Sequence, residues 1–157
     1  MSKIVFTKVI ASIALILATV ALMAIPAQAA TDGADSRFVV GPSIYQTNFF
    51  YNSPAVSSSV TNGVLRSIDY SYSWYNSVPA GGSMRVFFCN EPSAGAAFGC
   101  TQIGTNGLRQ GATDFFNGKP SNNKLYYAFQ VSSASTKTFT PPIYGTSNRI
   151  TISWTQP

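Results

Sequence analysis

The residues able to do chemistry in this 157-residue chain are few. There is no His, which removes Ser-His-Asp and Cys-His catalysis together with the commonest transition-metal ligand. The acids are Asp32, Asp35, Asp69, Asp114 and a single Glu, Glu91. A glycosidase-type carboxylate pair would have to be drawn from Asp69, Glu91 and Asp114, and nothing in their spacing asks for one. Cys89 and Cys100 are the only cysteines. If the chain is exported, an even pair this close reads as a structural disulfide, worth roughly 3 kcal/mol in the loop-entropy description. The redox alternative normally uses Cys-x-x-Cys at a helix N-terminus, a pattern this sequence lacks. The inventory points to binding or assembly: no catalytic residues, no cofactor and no metal are expected.

Export is read from the first thirty residues. Lys3 and Lys8 make a short basic start, Val9 to Ile25 is almost wholly apolar, and Pro26-Ala27-Gln28-Ala29 offers small residues at the −3 and −1 positions of a cut after Ala29. This is the pattern of a cleaved signal peptide over residues 1–29. No Cys follows the cut, so a lipid anchor is not expected, nor is stable membrane insertion afterwards. Residues 30–157 then form one domain, with 30–36 expected to be frayed. The two leader Lys account for part of the net +5, and the remaining charges are scattered singly. With no basic run, a nucleic-acid partner is not expected.

The elements that must position these residues are strands. From Leu65 to Tyr75, the residues Ile68, Tyr70, Tyr72 and Trp74 alternate with smaller, mostly polar ones, a period of two. Val78-Pro79-Ala80-Gly81-Gly82 breaks the pattern, and Ser83 to Cys89 resumes it, so the two segments are expected to pair as a hairpin. A loop follows Cys89, Phe98 to Ile103 reads as a strand, and Leu108 to Asn117 is ambiguous. Lys124 to Val131 and Arg149 to Trp154 alternate clearly, with Pro141-Pro142 as a break between them. Ile44 to Tyr51 and the stretch around Val56 to Val60 supply one or two earlier strands. No long segment after Ala30 shows helical periodicity. The expectation is an all-β, mainly antiparallel sandwich of about seven or eight strands.

Aromatic residues make up 13% of the chain. Those on the inward phase of the strands are core; Tyr75, Phe87 and Tyr126 fall on the outward phase and are the candidate protein-contact residues. Cover by loops or by a second sheet is the plain alternative.

The run Ser71-Tyr72-Ser73-Trp74-Tyr75, Pro79-Ala80-Gly81 and Met84-Arg85-Val86-Phe87-Phe88-Cys89 resembles the flagellar protein FlhE family. So does the order that follows: Cys100, the strand Leu125 to Val131, a proline step, and Ser147 to Trp154 at the end. The resemblance covers roughly Phe38 to Trp154. It implies a periplasmic, non-enzymatic protein linked to flagellum assembly, with a protein partner and no catalytic residues to transfer. A fimbrial, pilin-like subunit and a small carbohydrate-binding or inhibitor module are the other classes that the composition allows.

Overall fold

The structure, a computed structural model, describes residues 30–91, 99–104 and 109–156. The leader and the centre of the loop after Cys89 lie outside these residues. Eleven strands follow in chain order: β1 Thr31–Val40, β2 Ser43–Gln46, β3 Tyr51–Asn52, β4 Val64–Ser71, β5 Trp74–Tyr75, β6 Ser83–Glu91, β7 Gly99–Gly104, β8 Gln110–Thr113, β9 Lys124–Ser132, β10 Thr138–Gly145 and β11 Ser147–Gln156. Every pairing is antiparallel. No helix occurs among the described residues, and the all-β sandwich is what forms.

One layer is a bent ribbon. Its lower sheet runs β1-β11-β4-β8 and its upper sheet β2-β10-β5. The same three passes of chain cross from one sheet to the other, at Gly41-Pro42, at Thr146 and at Tyr72-Ser73. Backbone bonds stitch that crease: Gly41 N–H donates to Thr146 O at 2.7 Å, Gly145 N–H to Pro42 O at 2.8 Å, and Thr146 N–H to Ser73 O at 3.1 Å. Buried Asn148 accepts the Ser73 N–H at 3.1 Å, and the Ser73 and Thr146 hydroxyls meet there too. The backbones come so close that a Cβ on Gly41 would lie 2.6 Å from Gly145 Cα. Glycine is required at the crease because nothing larger fits. Counting each bent pass once gives eight passes of chain, which reconciles eleven strands with the seven or eight expected.

The other layer is β3-β9-β6-β7. Its inner face (Met84, Val86, Phe88, Leu125, Tyr127, Phe129 and Val131) packs on Leu65, Ile68, Tyr70, Ile150 and Ile152 of the ribbon. Tyr70, Tyr72 and Trp74 stack in sequence across the crease, with centroids 6.2 Å apart at each step. Tyr72 meets Tyr127 and Phe129 edge-on at 6.0 Å. Each ring removes ~150–250 Å² from water, which is the main drive for closing the layers. Two hydroxyls tie them polar-to-polar: Tyr127 O–H reaches Arg149 O at 2.6 Å and Ser71 O at 3.2 Å, and Tyr70 O–H donates to Ile103 O at 3.2 Å.

Three expectations need correction. The hairpin between Leu65–Tyr75 and Ser83–Cys89 does not form; β6 lies between β9 and β7, so the Val78–Gly82 segment carries the chain from one layer to the other. Pro141-Pro142 does not separate strands but sits within β10, where the ladder with β2 is irregular. The segment 30–36 is not frayed: from Thr31 on it belongs to β1, paired residue by residue with β11 from Thr31↔Gln156 to Val40↔Ser147. Asp35 adds a clip, accepting from Ser58 Oγ at 2.5 Å and Ser59 N at 3.0 Å. Backbone pairing replaces the apolar signal that β1 lacks.

Candidate functional site

The outer face of the β3-β9-β6-β7 sheet carries a graded stripe. Registered pairs run along it from Glu91↔Lys124 through Cys89↔Tyr126 and Phe87↔Ala128 to Arg85↔Gln130. The ends are charged or polar and the middle is apolar. In that middle lies a groove of about 370 Å³ formed by Phe50, Asn52, Phe87, Cys89, Cys100, Tyr126 and Ala128. The small side chain of Ala128 sits between larger neighbours and leaves the groove open.

The disulfide helps build this groove. Cys89 and Cys100 are direct partners in the β6–β7 ladder and are bonded, with Cα atoms 4.1 Å apart. Cys89 is buried with Tyr126 and Ala128, and Phe87 packs against that cluster. Phe50 is 58% exposed and meets Phe87 edge-on at 5.5 Å. The Arg85 guanidinium lies 5.3 Å over the Phe87 ring, while its Nε and Nη2 donate to Gln102 Oε1 at 3.3 and 3.0 Å. The Phe87 ring is thereby held between a ring and a cation. Burial, and then the nearby Glu91 charge, raise the Tyr126 hydroxyl above its ordinary range, so it is neutral at physiological pH and able to donate. An apolar centre with a polar rim is the anatomy of a protein contact surface.

Of the three aromatics picked from the sequence, Phe87 and Tyr126 come together here. Tyr126 is only 8% exposed and forms part of the floor. Tyr75 does not join them. It stands on β5, in the upper sheet of the ribbon, opposite Tyr144. Phe50 was not singled out by sequence reading. It lies just before β3 in a segment without periodicity, so no pattern marked it.

The other carboxylates do not converge with these residues. Asp69 is on the outer face of β4 beside Arg149, Gln110 and Thr151, Glu91 ends β6, and Asp114 follows β8. Among the described residues no three His, Cys, Asp or Glu side chains gather in a way that could hold a metal ion, and no helix is long and apolar enough to cross a membrane.

The geometry defines a disulfide-bonded antiparallel sandwich with an apolar groove on one outer face. Its fold is FlhE-like: the crystal structure of FlhE superposes with a TM-score of 0.63 at 18% identity, over 78% of this chain and 96% of that one. Two viral structures follow at a TM-score of 0.37 each, too low to bear on the fold. They are Desmodium yellow mottle tymovirus (15% identity, 80% of this chain and 82% of that one) and the Gx strain of infectious bursal disease virus (12% identity, 77% of this chain and 32% of that one). No family model and no curated protein matches the chain.

Proposed function

We infer that this chain is an exported, non-enzymatic accessory protein of the periplasm that binds a protein component of flagellar or another envelope assembly. The observation that carries this reading is the Phe50–Phe87–Tyr126 groove, set on a FlhE-like fold and braced by a disulfide. The disulfide suits an oxidising compartment, in keeping with the leader sequence. The partner presents an apolar anchor to the groove and polar groups to Arg85 at one end and to Glu91 and Lys124 at the other.

A polymer subunit awaiting a donated strand fits less well. β11 already lies between β1 and β4 in the ribbon, so that sheet is complete from the chain's own residues.

The test is a pull-down of flagellar and other envelope-assembly proteins with the Phe50→Ser, Phe87→Ser double variant. Capture should fall at least roughly tenfold, the scale of losing two central aromatic anchors, with the melting temperature lowered only slightly. Undiminished capture would remove the groove from the account.

A further inference from the structure

Tyr75, left out of the groove, belongs to a second aromatic surface. In the upper sheet of the ribbon Tyr75 on β5 is directly opposite Tyr144 on β10. Tyr144 is opposite Ser43 on β2, and Tyr45 is two residues further along β2. Residues opposite one another share a face, and so do residues two apart on one strand. All three rings are on the outer face and open to solvent: Tyr75 71%, Tyr45 51% and Tyr144 45% exposed. Their inward neighbours Ile44, Ile143 and Trp74 are buried, so the core does not account for the tyrosines.

We propose that the Tyr75–Tyr144–Tyr45 row is a binding platform for a neutral β-1,4-linked glycan chain. The charge pattern selects this occupant. None of the three strands, Ser43–Gln46, Trp74–Tyr75 and Thr138–Gly145, contains a charged residue. A nucleic acid, an anionic lipid or the charged rim of a protein would find no counter-charge on these strands. A greasy protein anchor would meet hydroxyl-tipped rings with Ser43 between them. An uncharged sugar polymer suits both halves of a tyrosine: its C–H faces stack on the ring and its hydroxyls bond the phenol and nearby amides.

The platform is also held in shape. Asn76, in the left-handed conformation with φ of 67 to 72° shared only with Asn48 among non-glycine described residues, donates from Nδ2 to Pro142 O at 2.7 Å. That bond fastens β5 to β10 next to Tyr75 and Tyr144. Tyr45 packs on Tyr51 with centroids 6.4 Å apart, and the Tyr51 hydroxyl accepts the Gln46 N–H at 3.0 Å. Neighbouring strands are ~4.8 Å apart, so the row offers ring after ring along a line crossing the strands. Pre-organised rings lower the ordering cost of binding.

The test titrates the exported, disulfide-bonded protein with the tetramer of β-1,4-linked N-acetylglucosamine and follows backbone amide shifts. Saturable shifts confined to β2, β5 and β10 are expected. Tyr75→Ala with Tyr144→Ala should weaken binding by roughly tenfold or more. Tyr45→Ala, on the far side of the row, gives a second variant should the double one fold poorly. Phe50→Ser with Phe87→Ser should bind the sugar normally, which separates this surface from the protein-binding groove. Absence of shifts, shifts centred elsewhere, or folded tyrosine variants that titrate like the parent would each overturn the proposal.

Discussion

Replacing Tyr127 by Phe removes one oxygen from the centre of the sandwich, and its effect should change with pH. The ring is fully buried, and its hydroxyl bridges the β9 layer to Arg149 O at 2.6 Å and Ser71 O at 3.2 Å. Losing that bond while leaving buried carbonyls short of a donor costs about 1–2 kcal/mol. For a domain of this size the melting temperature should drop by about 3–8 °C at pH 7. Burial chiefly pushes the Tyr127 hydroxyl above its ordinary 10.0, so the folded protein keeps the proton where the unfolded chain has lost it. The stabilisation from this hydroxyl is therefore complete below pH 10 and is lost as pH rises beyond it. The loss is about 1.4 kcal/mol per pH unit. Phenylalanine has nothing to titrate, so the gap between parent and variant should close about one pH unit above 10. The other tyrosines, including Tyr72 with its hydroxyl raised to about 12 by burial, then Tyr70, are the same in both proteins and cancel. Urea unfolding of the pair at pH 7, 9, 10 and 11 measures this. A gap that stays constant or widens above pH 10 would refute the bridging role.

Three further outcomes follow from the same structure. Gly145→Ala puts a Cβ 2.5 Å from the Gly41 backbone; relief by separating the creased strands should cost about 1–3 kcal/mol, read by denaturant melts. Cys89→Ser with Cys100→Ser should cost about 3 kcal/mol and broaden or shift the amide signals of Tyr126 and Ala128, which pack on Cys89. Asp35 is held below its ordinary 3.8, first by the Ser58 hydroxyl bond, so its contribution is present above pH 3.8 and lost as pH falls below it. Asp35→Asn should accordingly speed hydrogen exchange in β1 near neutrality, with parent and variant converging in strong acid.

The strands with a strong inward phase were legible because a period of two and a buried partner layer are the same fact. Ile68-Tyr70, Leu125-Tyr127-Phe129 and Ile150-Ile152 all point where their spacing says, and the Cys pair bonds. What the pattern could not reveal is a change of sheet. Tyr70, Tyr72 and Trp74 keep alternating straight through the crease, because the stack continues while the hydrogen-bond partners change from β11 to β10. β1 was invisible for the opposite reason: its apolar inward residues reduce to Val39, and the strand is specified by pairing with β11. The groove was half legible. Phe87 and Tyr126 fall on the outward phase of good strands, whereas Phe50 comes from an aperiodic turn and Tyr75 sits beyond the crease on a different face.

The central claim, that the Phe50–Phe87 groove is where a protein of the envelope is held, is tested most directly by photo-crosslinking in living cells. A benzoyl-phenylalanine placed at Phe87 should capture one dominant protein of flagellar or another envelope assembly, and capture should collapse when Phe50→Ser is added. The same photoreactive residue at Tyr144, on the other layer, should capture no such protein. Equal labelling from both positions, or none from Phe87, would contradict the account.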